Sequence, residues 1–205
     1  MRGAAGAIEV RREAAPVIAT PRDAAAPGGL ALVQRFVNSV DMEHGVDLWQ
    51  TPGGLAIWIE REGWGAVPRV DRDDLRRCVA AREAIRELLL ANAGAPLDRA
   101  ALAALNRTAA NAALCAAFDG VGTAALKPVS GGIDGAIGDV LAAVVVAQGE
   151  GIWSRLKACR EENCLWAFFD HSKNGSGMWC SMAMCGNRAK ARRYRTRRRA
   201  SGGRA

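Results

Sequence analysis

"CREENCLWAFFDHSKNGSGMWCSMAMCGNRAKARRYRTRRR", residues 159–199, holds four of the chain's six cysteines and ends with eight basic residues among its last twelve. The spacing is Cys159-x4-Cys164, fifteen residues, then Cys180-x4-Cys185. Zinc in a structural site takes four thiolate or imidazole ligands in a tetrahedron, and two cysteine pairs brought together across a hairpin supply them. A module of this size has only a few large apolar groups, among them Leu165, Trp166, Phe168, Phe169 and Trp179. Below about 40–50 residues such a core needs a metal or a disulfide staple. One structural zinc ion per chain, held by Cys159, Cys164, Cys180 and Cys185, is therefore expected. His171 falls in mid-hairpin away from both pairs, and His44 has no partner in the sequence. A filled tetrahedron leaves no open position for a catalytic water, so the site reads as structural.

Working outward, Trp153–Ala158 alternates as a strand would and runs into Cys159, and Leu165–Asp170 is aromatic and strand-like. Asn174–Gly175 is a strong reversal signal. With a helix beginning near Asn187, capped by that residue, residues 151–199 read as a β-hairpin followed by a helix. Arg188, Lys190, Arg192, Arg193, Arg195, Arg197, Arg198 and Arg199 point in every direction around such a helix and form no packing stripe. Residues 152–205 carry 13 Lys/Arg against 3 Asp/Glu, whereas residues 1–151 carry 15 against 18. The net charge of +7 thus comes from one end, which is expected to seek a polyanion. Arginine's planar fork suits phosphate oxygens and the guanine edge. Arg188, Lys190, Arg192, Arg193, Arg195, Arg197 and Arg198 are the candidate nucleic-acid contacts, those of the first two turns being held in place by the metal knuckle.

Upstream, residues 28–150 read as helices. Leu30, Val33, Phe36, Val37 and Val40 keep helical spacing. Thr51 caps a helix with Pro52 at its first position, Asp71 caps the longest one, closed by Gly94, and Asp98 caps the next. In the longest helix the expected buried stripe is Leu75, Cys78, Val79, Ile85, Leu88 and Leu89. In the next it is Leu102, Leu105, Ala109, Ala112 and Ala116. Residues 123–130 read as a short strand or hairpin, and Ile137, Val140, Leu141 and Val144 mark a last body helix. Cys78 and Cys115 sit in apolar patterns and are expected in the core. The fold class is thus mainly α, a helical domain followed by a small β-hairpin/helix four-cysteine zinc module. Flexible tails are expected at residues 1–27 and 200–205. The longest apolar run falls well short of the roughly 18–20 residues of a membrane span. No apolar block of an export signal opens the sequence, so a cytoplasmic setting and reduced thiols are expected.

These residues carry a resemblance. Cys159–Cys164 and "WCSMAMCGNRAKARRYRTRRR" resemble the CGNR-type zinc finger, named for the string Cys185-Gly186-Asn187-Arg188. "RFVNSVDMEHGVDLWQTPGGLAIWI", "DLRRCVAAREAIRELL" and "LAALN", in that order, resemble the ABATE domain of bacterial transcription regulators; Ser39 stands where that family often has Thr. The resemblance covers roughly residues 28–199. It implies metal on the four cysteines and DNA contact by the segment after Arg188.

A zinc-dependent DNA-binding transcription regulator is the reading that follows. An RNA-binding zinc module and a protein-interaction adaptor are the alternatives. No nucleophile–base pair or glycine-rich phosphate loop suggests an enzyme. Arg82 and Arg86, four apart on one side of the longest helix, and Asn38 and Asn106, polar in otherwise apolar patterns, are the candidate effector pocket for an anion, with homodimerisation as the other role for the helical domain.

Overall fold

The longest helix begins where the sequence caps it. In this computed structural model, which describes residues 24–67 and 69–202, α3 (Arg72–Asn92) opens on a capping box. The Asp71 carboxylate accepts from the N–H groups of Asp73 and Asp74, and Asp74 accepts from Asp71 N–H. Such caps are worth about 1 kcal/mol. Gly94, at φ +86, takes the chain out through the left-handed region. Cys78, Ala81, Ile85 and Leu89 are buried, whereas Leu75, Val79 and Leu88 are only half-buried. The difference from the expected stripe has a cause: Arg82 and Arg86 also point inward, at 3% and 2% exposure.

α1 (Leu30–Val37) buries Leu30, Val33, Phe36 and Val37. Val40, expected on that stripe, has left the helix. The chain breaks at Asn38, and Val40–Asp41 (β1) pairs antiparallel with Val46–Asp47 (β2). α2 (Pro52–Arg61) starts where Thr51 Oγ1 accepts from Gly54 N–H at 3.1 Å. Gly54 is required there, since a Cβ would lie 2.5 Å from the Leu48 carbonyl oxygen. Phe36, Trp49 and Trp58 meet edge to face with ring centroids 5.0–5.8 Å apart, a geometry that adds roughly 0.5–1.5 kcal/mol per pair.

α4 (Arg99–Ala112) is capped by Asp98 and ends at Ala113, whose φ is +38. Ala116 and Cys115 therefore lie on a strand, β3 (Leu114–Phe118), paired with β4 (Ala124–Pro128). Cys115 is exposed rather than in the core, and the half-buried and exposed residues of α4 include Leu102, Leu105 and Ala109. The apolar pattern runs on after the helix stops, which hides the switch. α5 (Gly132–Gly149) is the central core helix, burying Ile133, Ile137, Val140, Leu141 and Val144. It is long and apolar enough to cross a membrane by composition, and 56% of it is inside the protein.

After Gly151 a 3-10 turn (Trp153–Arg155) precedes β5 (Leu156–Ala158), which pairs with β6 (Ala167–Phe169). Leu156, Ala158 and Ala167 belong to the same core as α1, α3 and α5. Polar groups complete this joint. The Asn38 amide donates to the Ala167 carbonyl at 2.9 Å and accepts from its N–H at 2.8 Å, as a neighbouring strand would. Arg86 donates to the carbonyls of Leu165 and Val37, both at 2.8 Å, and Asn92 donates to those of Trp153 and Leu156. The chain ends in α6 (Asn187–Gly202), so helix extends into residues 200–202, where a tail was expected. The expected N-terminal tail, up to residue 23, lies outside the described residues, as do residues 203–205.

Replacing Asn38 with alanine leaves Ala167 N–H buried without that partner. Stability should fall by about 1–3 kcal/mol, measured as a lower urea midpoint. The exposed Asn106→Ala should stay within about 0.5 kcal/mol of the parent. Equal midpoints for the two variants would contradict the assigned joint.

Candidate metal centre and nucleic-acid interface

The first cysteine loop is built on the β5–β6 hairpin. Cys159 N–H extends the ladder to the Trp166 carbonyl (2.9 Å), and Cys164 N–H turns back to the Glu161 carbonyl (2.8 Å). Leu165 follows in the left-handed region at φ +49, a conformation that costs a non-glycine residue roughly 1–3 kcal/mol. Arg86, donating to the Leu165 carbonyl, helps to hold it there. This loop, not Asn174–Gly175, closes the hairpin.

The Asn174–Gly175 reversal instead carries the chain from β6 to the second pair, and a buried ion pair shapes it. Lys157 Nζ donates to Asp170 Oδ2 (2.7 Å) and to the carbonyls of Gly175 (2.5 Å) and Gly177 (3.0 Å). Asp170 accepts in turn from Ser172 and Gly177 N–H. Burial pushes the Asp170 carboxyl up, but these donors outweigh it and hold it below its ordinary value. A Cβ on Gly177 would sit 2.9 Å from the carboxylate atoms. Ser181 then caps a tight π-turn, Met182–Gly186, which presents Cys185 and passes directly into α6. At Gly186 the Met182 thioether packs close, 2.8–2.9 Å from where a Cβ would lie.

These two loops bring Cys159, Cys164, Cys180 and Cys185 together, with all four sulfurs within 4.8 Å of one another. Cys164 and Cys180 sulfurs are 3.6 Å apart, and those of Cys180 and Cys185 are 3.7 Å apart. A tetrahedron with metal–sulfur bonds of about 2.3 Å has edges of about 3.8 Å, whereas a disulfide requires about 2.05 Å. The spacing therefore fits one metal ion in a four-sulfur cage. The charge argument agrees. Hydrogen bonds from the Cys164 and Cys180 thiols hold Cys159 down to about 2 against burial, while burial and the charge of Cys159 push Cys185 up to about 12. Four thiolates at this separation repel one another, and a cation between them offsets that repulsion. Trp166, Phe168 and Trp179 pack around the sulfurs.

His171 is exposed and lies edge-on to Phe169, and His44 pairs with the Asp41 carboxylate; neither joins the cluster. The Cys78 thiol, buried on α3, is pushed up to about 12 mainly by desolvation.

α6 carries the candidate nucleic-acid contacts. Asn187 does not cap it: that residue is already helical, and its amide donates to the Ala183 carbonyl (3.0 Å), the cap being Ser181. Arg188 and Arg192 pair with acids outside α6. Arg188 reaches Glu43, on the β1–β2 loop, at 2.6 Å. Arg192 forks onto the Glu161 carboxylate through both terminal nitrogens, one at 2.8 Å. Glu161 is 2% exposed inside the first cysteine loop. Lys190, Arg193, Arg195, Arg197 and Arg198 are exposed. The sequence did not single out Glu43 or Glu161; an acid 31 residues from its arginine leaves no local pattern.

Three of the four candidate effector-pocket residues, Asn38, Arg82 and Arg86, are engaged within the protein. Arg82 donates to Asp47 (both contacts 2.9 Å), Glu83 and the Ser39 hydroxyl, with its guanidinium 4.8 Å over Trp49. Asn38 and Arg86 form the joint described above, and Asn106 is exposed on α4. Ser39 keeps the hydroxyl that a threonine would offer. A groove of about 580 Å³ opens elsewhere, between α1, β4 and α5, past Arg35, Trp64, Lys127 and Val146.

Residues 30–148 match the family model ABATE, described as "Putative stress-induced transcription regulator". The chain belongs to the ABATE family. Residues 155–198 match the model of the CGNR zinc finger, in the N- to C-terminal order that the motifs suggested. No curated protein matches the chain. The joint through Asn38 and Arg86 thus connects the ABATE region to the CGNR finger, and Arg188–Glu43 connects the finger's helix back to the ABATE region.

Chelation should free residues 178–199, which the second cysteine pair anchors, while β5 and β6, held in the ABATE core, stay protected from amide exchange. Hydrogen exchange with and without chelator reads this directly. Loss of protection in residues 156–158 and 167–169 alongside 178–199 would show the joint to be weaker than its contacts imply.

Proposed function

We propose that the chain is a DNA-binding transcription regulator whose CGNR finger holds one structural zinc ion and whose α6 contacts duplex DNA. The observation that carries the reading is the junction at Cys185: the last ligand passes straight into an exposed helix with eight basic residues in twelve. The metal would thereby fix where the helix starts and which way it points. Zinc suits a closed four-thiolate cage, since it has no redox chemistry and accepts a tetrahedron without strain.

The RNA alternative relied on aromatic residues that could stack on unpaired bases. Trp166 and Phe168 are 2% and 7% exposed and pack on the sulfurs, which favours DNA. The ABATE region would supply the input, by dimerising or by taking a small effector, and Arg188–Glu43 is a route by which that input would reach α6.

Zinc-loaded protein should bind duplex DNA with a log–log salt slope of about −5. This is the value for about six phosphate contacts by basic side chains. Fluorescence anisotropy across a salt series, with and without chelator, measures it. Binding that ignores chelator, a slope near zero, or tighter binding to single-stranded or structured RNA would each contradict the proposal. Glu43→Gln releases Arg188. It should raise duplex affinity several-fold and steepen the slope by about one; unchanged binding would mean that the ion pair does not restrain the helix.

A further inference from the structure

The inward side of α6 is set by contacts. Ala189 is 6% exposed, and Arg192 is drawn to Glu161. With 3.6 residues per turn, the opposite stripe runs through Asn187, Ala191, Tyr194 and Arg198, spaced four, three and four apart. All four are exposed, Tyr194 at 62%. The charge falls to either side of this stripe. Lys190, Arg193 and Arg197 lie along one flank, and Arg195 and Arg199 along the other, continuing the row of Arg188. A run of basic residues that surrounds the helix in sequence thus becomes, once the inward face is known, two positive rows separated by a stripe whose first three members are uncharged.

Resting on the DNA reading above, we propose that α6 lies in the major groove of duplex DNA with Ala191, Tyr194 and Arg198 toward the base edges and the flanking rows on the phosphates of the two strands. The dimensions agree: a helix with side chains is about 10–12 Å across and the major groove about 12 Å wide. Ala191 is the small residue at the point of closest approach, and its methyl suits a thymine methyl group. Tyr194 adds a hydroxyl and a ring edge, and Arg198 a fork that fits guanine. Asn187 sits at the start of the stripe with its amide tied to Ala183, and the body-facing ion pair of Arg188 lies one residue later, so base contact is confined to the turns from Ala191 on. The deep, narrow major groove of A-form RNA does not admit this arrangement. Arg188 and Arg192, the most obvious first contacts by sequence, serve instead to hold the helix against Glu43 and Glu161.

The test is selection of duplexes from a random pool by the zinc-loaded full chain, followed by affinity measurement for the parent and exposed-site variants of unchanged metal content and helicity. Tyr194→Ala should change the preferred base at one or two adjacent positions and weaken the parent's selected site about tenfold or more. Its affinity for unselected duplex and its salt slope should stay within about twofold of the parent's. Lys190→Ala and Arg195→Ala should weaken all duplexes alike and flatten the slope by about one each. A parent that binds duplex but enriches no sequence, or a Tyr194→Ala variant with the parent's selected sequence and affinity, overturns the groove assignment alone. A parent that binds no duplex overturns the DNA reading with it.

Discussion

Four sulfur atoms within 4.8 Å of one another are the constraint on which the C-terminal third depends. Four thiolates this close repel one another, and a bridging cation offsets that repulsion. The apolar cluster beside them is too small to hold two loops by burial: Trp166 and Phe168, with half-buried Trp179, are its large members. A metal bond replaces the missing core. Because Cys185 is followed at once by α6, whatever fixes that sulfur also fixes the origin and direction of the basic helix.

The finger is nevertheless not held by metal alone. Its hairpin contributes Leu156, Ala158 and Ala167 to the core of the helical region, and Asn38 pairs with Ala167 through both N–H and carbonyl. Arg86 ties the strained Leu165 to the end of α1 at Val37. Such groups are buried with good partners, which is the condition under which polar burial does not cost stability. The first cysteine loop therefore takes its geometry from the ABATE region, and the second takes its geometry from Lys157, Asp170 and the metal. A rearrangement of α1 or of the β1–β2 loop has a short path to α6, through Asn38 and Ala167 on one side and Glu43 and Arg188 on the other.

Much of this was legible in the sequence where the physics is local. Thr51, Asp71 and Asp98 cap the helices they were expected to cap, because capping needs only the next three residues. The cysteine spacing announced the four-sulfur cluster, because a metal restricts ligand type and separation so tightly. The failures have a common cause. Val40 and Ala116 continue an apolar pattern after the chain has left the helix, so periodicity overran both ends. The partners of Arg82 and Arg86 were hidden because they are remote: Asp47 is 35 positions away and Leu165 is 79. The same distance concealed Glu161, which pairs with Arg192 on one face of α6.

X-ray absorption at the zinc edge of the purified, reduced protein reads whether one zinc ion closes the four-cysteine cage. The account predicts one zinc per chain with four sulfur neighbours at about 2.3 Å. A nitrogen or oxygen neighbour in the first coordination sphere, or protein whose C-terminal region is ordered with no metal bound, would contradict it.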